Sequence, residues 1–258
     1  MGATLGLVIP AYRPDVDRLS TYVEELVVEL DPDEIRIELD APCDETVDGL
    51  SDLHAVVNAV PYRRGKGAAI TAGFEALETD VLAFADADGS TPATEVVGIL
   101  DAVLNGQADL AVGSRRHPDA TVSTHQTFAR RRLGDAFAWL ARRVLTERLY
   151  DYQCGAKAIT ADGWGQVRGH LYESGFAWDI ELVAMAGALE LRIAEIPVEW
   201  HDRPGSTVSP VRDSIRLART LVAVRHRAKQ LRESRLHTAI ARRRETPEAL
   251  VEKEQREP

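Results

Sequence analysis

Cysteine is nearly absent: Cys43 and Cys154 are the only two, and neither sits in a CxxC pair or a Cys/His cluster. That excludes a disulfide framework and gives no zinc signature, so both thiols read as small buried side chains. Long hydrophobic runs are missing as well. No stretch approaches the ~18 apolar residues of a membrane span. The N-terminus has no basic-then-apolar layout of a signal peptide, and the expectation is a soluble, cytoplasmic body. No GxGxxG is present, which removes a dinucleotide fold, and Arg64-Gly65-Lys66-Gly67 lacks the upstream Gly and following Ser/Thr of a Walker A loop. Lysine is scarce, at four against 27 arginines.

What is present is ordinary for a folded chain: 258 residues, 45% hydrophobic and 28% charged, enough for one large α/β domain or a domain plus a tail. The net charge of −10 is unevenly spread. Between Arg212 and Arg244 lie eleven cations and two acids, a local charge of +9 that leaves −19 on the remainder. So acidic a remainder argues against nucleic-acid binding.

Apolar runs and helical spacings alternate along the first half. Thr4–Ile9 reads as a buried strand ended by Pro10, and Asp15–Leu30 as a helix with Val16, Leu19, Val23, Leu26, Val27 and Leu30 on one side. Strands follow at 35–39, 54–60, 81–85 and 108–112, separated by helices at 65–77 and 94–104. This βαβ order predicts an open, mostly parallel sheet flanked by helices, with active residues at the carboxyl ends of its strands. A domain over 1–210 would be followed by a basic amphipathic helical region at 211–244 and a mobile acidic tail at 245–258. Within the basic region Leu217, Leu221, Val224, Ala228 and Leu231 form an apolar stripe. It can lie on an anionic bilayer or pack on the core, and both remain open.

The chemistry gathers at the predicted strand ends. Asp86-Ala87-Asp88-Gly89 follows an apolar strand, and two carboxylates so close repel each other unless a cation sits between them. Such hard oxygen ligands suit Mg²⁺ or Mn²⁺, which also take phosphate oxygens. At Arg64-Gly65-Lys66-Gly67, glycines, a cation and free N–H groups before a helix can hold an anion. Gly113-Ser114-Arg115-Arg116 adds cations at the same edge.

In order, Val8-Ile9-Pro10-Ala11-Tyr12, Arg64-Gly65-Lys66-Gly67, Ala85-Asp86-Ala87-Asp88-Gly89, Gly113-Ser114-Arg115, Gln153-Cys154-Gly155-Ala156-Lys157, Trp178-Asp179-Ile180-Glu181 and Ile196-Pro197-Val198-Glu199-Trp200-His201 resemble the family 2 glycosyltransferases. More narrowly the pattern is similar to the dolichyl-phosphate glucosyl- and mannosyltransferase branch. The resemblance implies a GT-A fold with a basic C-terminal extension, and inverting transfer of a hexose from a nucleotide sugar to dolichyl or polyprenyl phosphate at the cytoplasmic face of a membrane. It implies that Asp86 and Asp88 hold the metal, and that Asp88 and Asp179 are the catalytic acids. Pro10, Ala11, Tyr12, Asp40, Lys66, His201 and Arg203 would serve the donor; Arg115, Arg130, Arg131 and Gln153 would seat the acceptor phosphate. Here Asp40-Ala41-Pro42-Cys43-Asp44 replaces the family's usual Asp-Asp-Gly-Ser stretch. Lys157 is expected on the substrate side. UDP-glucose is favoured over GDP-mannose; a sugar-hydroxyl acceptor and a nucleotide-sugar-binding pseudoenzyme are the alternatives. Oligomeric state is not readable.

Overall fold

The structure is a computed structural model that describes residues 2–123, 138–201, 210–232 and 248–254. Strand alternation organises it. In β1 (Leu5–Tyr12), Leu7 and Ile9 face one hydrophobic core and Val8 the other. Seven strands make one sheet: β2 (Glu34–Asp40), β3 (Val56–Val60), β4 (Val81–Ala85), β5 (Leu110–Ser114), β7 (Ala156–Thr160) and β8 (Ile193–Pro197) join β1 in the order β3-β2-β1-β4-β7-β5-β8. All pairings are parallel except those of β7, which runs antiparallel between β4 and β5. Short strands β6 (Val122–Ser123) and β9 (Trp200–His201) pair apart from it.

Helices cover both faces. On one side α1 (Val16–Leu30) and α4 (Ala93–Leu104) bury Leu7, Ile9, Ile37 and Ala83. Opposite, α3 (Lys66–Glu75), α6 (Trp178–Ala188) and α7 (Pro210–Leu231) bury Val8, Leu82, Phe84 and Val112. Each such Val, Leu, Ile or Phe side chain contributes about 1.5–3 kcal/mol. Two short helices, α2 (Asp44–Asp48) and α5 (Ala161–Val167), complete the layers before the C-terminal α8 (Leu250–Glu254). Local signals fix the ends: Asp15 accepts from Arg18 N and caps α1, and Thr160 accepts from Gly163 N and caps α5.

The expected α/β layering holds, with three corrections and one open alternative decided. β1 continues through Pro10 to Tyr12; its ladder to β4 ends at Val8↔Phe84, and beyond that point a proline is tolerated because one flank has no partner strand. Cys43 is exposed, its Sγ 3.1 Å from Thr46 Oγ1, and only Cys154 is buried. The described part of the α7 stripe is turned inward: Leu221, Val224 and Ala228 lie in the core with α6, so these residues are not a bilayer face. Part of the acidic tail is docked rather than mobile, with Ala249, Leu250 and Val251 buried and Leu250 N donating to Leu171 O. No helix among the described residues is long and apolar enough to cross a membrane.

Candidate active site

The carboxyl ends of β1, β2, β4 and β5 meet along one edge of the sheet. Directly after β4 the chain turns through Asp86-Ala87-Asp88, made possible by Gly89 at φ +62°. Asp88 is exposed and accepts from Ser90 N at 2.9 Å through Oδ1; among the described residues nothing is bonded to Oδ2. Asp86 is half-buried and takes Lys66 Nζ at 2.9 Å, while its own N–H donates to Gly155 O. A Cβ at position 155 would collide with Asp86 Oδ2, so glycine there is what lets the antiparallel β7 begin against this carboxylate.

Behind the turn lies a chain of buried charges. Lys66 Nζ also reaches Asp179 Oδ2 at 3.0 Å, and Asp179 Oδ1 accepts from Lys157 Nζ at 2.5 Å. Lys157 additionally donates to Cys154 O, and both ammonium groups lie over the Phe84 ring. Burial alone would raise the carboxyl of Asp179, but Lys157 and Lys66 outweigh it and hold it below the usual range. Asp86 goes the other way. Burial raises it, and the Asp88 and Asp179 charges add to that against the pull of Lys66. Lys66 and Lys157 are balanced by Asp86 and Asp179, so Asp88, with no ammonium partner among the described residues, leaves a negative charge at the open end.

Neighbouring segments fix the Lys66 turn. Gly65, at φ +98°, donates its N–H to Asp40 Oδ2 at 2.9 Å, and Arg64 Nε donates to Oδ1 at 2.8 Å. Arg64 also reaches the fully buried Glu38 on β2, which takes Asn58 Nδ2 as well. The N–H groups of Gly67 and Ala68 both donate to Ser174 O. The turn therefore offers few of the free N–H groups that its sequence suggested: the chain itself occupies the amides of Gly65, Gly67 and Ala68. Pro10 and Ala11 lie beside it in β1, and Tyr12 ends that strand with the Arg63 guanidinium 4.1 Å from its ring centre.

On the β5 side, Arg115 grips Asp151 through Nε at 2.6 Å and Nη2 at 3.0 Å, and its guanidinium lies 5.4 Å from the Trp200 ring centre. Among the described residues nothing is bonded to its Nη1. Burial would raise the carboxyl of Asp151, but Arg115 more than offsets this and holds it well below the carboxylate range. The Tyr150 and Asp151 N–H groups donate to Glu195 of β8, and Gln153 N donates to Asp151. Gln153 Nε2 reaches Phe176 O at 3.5 Å. His201 donates its backbone N–H to Ser90 O, which brings it close to Asp88, and its ring Nε2 is 2.9 Å from Glu199. Arg130, Arg131 and Arg203 lie outside the described residues.

Residues 7–153 of this chain match glycosyl transferase family 2. The chain belongs to that family. It is 28% identical over 222 residues to glycosyltransferase AglD of Haloferax volcanii, covering 82% of this chain and 35% of the relative. It is also 31% identical over 173 residues to the dolichyl-phosphate beta-glucosyltransferase of Saccharomyces cerevisiae, with 63% and 52% covered. The Homo sapiens enzyme of the same name is 30% identical over 183 residues, with 69% and 56% covered. This chain therefore spans between about a third and just over half of these relatives' lengths. Among solved structures, glucosyl-3-phosphoglycerate synthase from Mycobacterium tuberculosis, in complex with Mn²⁺, UDP and phosphoglyceric acid, superposes with a TM-score of 0.66 at 18% identity, covering 88% of this chain and 79% of that one. Mannosyl-3-phosphoglycerate synthase from Rubrobacter xylanophilus gives 0.66 at 15% identity, covering 88% and 74%. Such likeness shows the fold, which is GT-A.

Within this family 2 fold, the turn after β4 fits a divalent cation: hard oxygen donors, one exposed carboxylate and a surplus negative charge. Among the described residues no group of three or more His, Cys, Asp or Glu side chains could hold a metal alone. Asp86 and Asp88 are the residues that could offer carboxylate oxygens to such an ion, whose other ligands would be phosphate oxygens and water. Sequence reasoning missed Asp151, Glu195 and Glu38. Only Asp151 left a signal, as an acid two residues ahead of the Gln153-Cys154-Gly155 motif. Lys157, expected on the substrate side, is buried and spent on Asp179 and Cys154 O.

Proposed function

We propose that this family 2 glycosyltransferase moves glucose from UDP-glucose to dolichyl or polyprenyl phosphate, inverting the anomeric carbon. One observation carries the choice of acceptor. Asp179, which the resemblance made a catalytic acid, is 1% exposed and has both oxygens on lysine ammonium groups. A hydroxyl acceptor needs a base, whereas a phosphate monoester, with a second pKa of about 6, arrives ionised and needs only cations. Asp179 then acts as the counter-ion that presents Lys66. Arg115, with Nη1 beyond its Asp151 grip, would align the acceptor's oxyanion. The beta-glucosyltransferase relatives and the UDP complex of the M. tuberculosis synthase support UDP-glucose.

Asp86 and Asp88 would hold Mg²⁺ or Mn²⁺, which when bound neutralises the charge developing on the departing diphosphate. Lys66, fixed against Asp86 and Asp179, supplies a second positive charge at the same place without having to move. Tyr12, with Pro10 and Ala11, would line the nucleoside side, and His201, whose N–H donates to Ser90 O, would serve the diphosphate side. A lipid acceptor requires contact with a membrane surface, which we place on its cytoplasmic face.

The test supplies purified chain with labelled UDP-glucose or GDP-mannose, Mg²⁺ or Mn²⁺, and either polyprenyl phosphate or soluble sugars. Glucosyl lipid from UDP-glucose is the expected product, and Asp88→Asn is expected to lose most of it together with metal-dependent UDP binding. Mannosyl lipid would change the donor; a soluble disaccharide would change the acceptor. UDP binding without any turnover would make the chain a binding protein.

A further inference from the structure

Glu181 lies two residues past Asp179 on α6, is fully buried, and touches neither lysine of the site. Its Oε2 accepts the backbone N–H groups of Tyr172 at 2.7 Å and Glu173 at 2.8 Å, and its Oε1 pairs with Arg227 of α7. Burial raises the Glu181 carboxyl above its usual value even against Arg227, which marks the cost of keeping a carboxylate there. The loop it pins is the one that caps the Lys66 turn. Ser174 O takes the N–H groups of Gly67 and Ala68, and a Cβ at Gly65 or Gly67 would come within 2.5 Å of Ser174 O or Glu173 O. Loop and turn are therefore pressed backbone to backbone. The same loop is held from outside by the Arg227 guanidinium, 4.6 Å from the Tyr172 ring centre, and by Leu250 N on Leu171 O.

We infer that Glu181 and Arg227 are positioning residues for the donor site, and that the C-terminal extension is thereby part of the catalytic machinery's support. The path is continuous: Arg227 fixes Glu181, Glu181 fixes residues 172–174, Ser174 O fixes the first turn of α3, and Lys66 in that turn meets Asp86. Each link is a direct contact between described groups. Toward the acceptor side, the same loop offers only a long 3.5 Å contact of Phe176 O with Gln153 Nε2 among the described residues, and Arg115 is anchored elsewhere, on Asp151, whose N–H Glu195 holds. Loosening Glu181 should therefore be felt on the donor side and spare the acceptor side. This extends the proposed reaction by assigning its donor half a support, and rests on that reading for the kinetic part only.

The experiment uses the full chain with Glu181→Gln, which keeps the shape but removes the charge facing Arg227, and Arg227→Gln, which alters a partly exposed residue and guards against failure to fold. Hydrogen exchange of the amides at Gly67 and Ala68 reads the support directly and needs no turnover. In both variants these amides are expected to exchange about tenfold faster or more, while amides of α1 stay as protected as in the parent. Kinetically the KM for UDP-glucose should rise about tenfold, with the KM for polyprenyl phosphate within about twofold. Unchanged exchange at 67–68 in folded variants would overturn the support, and so would a fall in protection spread evenly over the sheet. Faster exchange with equal weakening of both substrates would overturn its restriction to the donor. If the parent binds no UDP in Mn²⁺, the functional reading fails while the exchange result still decides the support.

Discussion

Removing the carboxylate of Asp179 should destabilise the protein severely, and a second substitution should undo most of the damage. The carboxylate sits 2.5 Å from Lys157 Nζ and 3.0 Å from Lys66 Nζ. At an effective dielectric constant of about 20, each contact contributes about 5–7 kcal/mol of gross attraction. Desolvating three charged groups offsets most of that, at several kcal/mol per ion. The pair energies therefore nearly cancel in the intact protein. In Asp179→Asn they no longer do, because the lysine side chains stay 1% and 10% exposed and only Lys66 keeps an acidic partner, Asp86. Stranding a buried charge costs about 3–5 kcal/mol. Adding Lys157→Met removes the stranded ammonium and replaces it with an apolar chain of similar length, so the double variant should recover most of the loss. Urea unfolding at pH 7 of the parent, both single variants and the double variant gives the full cycle. A single variant within about 1 kcal/mol of the parent, or a double variant no more stable than Asp179→Asn, would refute the charge chain.

Other expectations follow from the same edge and its surroundings. Gly155→Ala forces Asp86 aside and should weaken UDP binding in Mn²⁺ by about tenfold or more; calorimetric titration with unchanged affinity would show that the carboxylate can yield. Asp151 has its folded pKa depressed, so its stabilisation is present above the ordinary carboxylate value of about 3.9 and is lost as pH falls through the folded value. Unfolding measured from pH 7 down to about 3 should therefore show the gap between the parent and Arg115→Met narrowing on acidification, and a constant gap would remove the pair from the acid limb. Leu221→Ala, in the inward stripe of α7, should cost about 2–5 kcal/mol, where a solvent-facing residue would cost almost nothing.

The first half of the fold was open to reading because its strands are buried and its helices amphipathic. Val81–Ala85 came out with correct limits since all five residues are buried and apolar. Past Ser114 that reasoning held only for the basic helix within 211–244, found over Pro210–Leu231. Trp178–Ala188 is buried on every side, Asp179 and Glu181 included, so no periodic face announces its packing. The direction of β7 is likewise invisible, because Ala156-Lys157-Ala158-Ile159 has no feature that distinguishes a parallel strand from an antiparallel one. At the site, the Asp86/Asp88 turn and Lys66 were found as motifs. Their mutual contact, and the spending of Asp40 on Arg64 and Gly65, depend on side-chain geometry that spacing does not encode. The inward turn of the α7 stripe shows the same limit: an apolar stripe beside arginines has the same pattern whether its partner is lipid or core.

The reversed strand has a consequence for how such an enzyme can change. β5 ends at Ser114 on the active edge, and β7, running the other way, begins at Ala156 on that same edge. The connection between them departs after Ser114 and returns at Ala156, both at the edge that carries the Asp86 turn. Insertions in its exposed turns put little demand on the sheet, since lengthening a flexible loop whose ends are held costs only about 0.6 kcal/mol per doubling, whereas Ala141, Leu145, Leu149 and Tyr152 are tied to the core. On the proposed reading, the segment that carries Arg115 and Asp151 can then vary while the Asp86 turn and the β1 edge stay as they are.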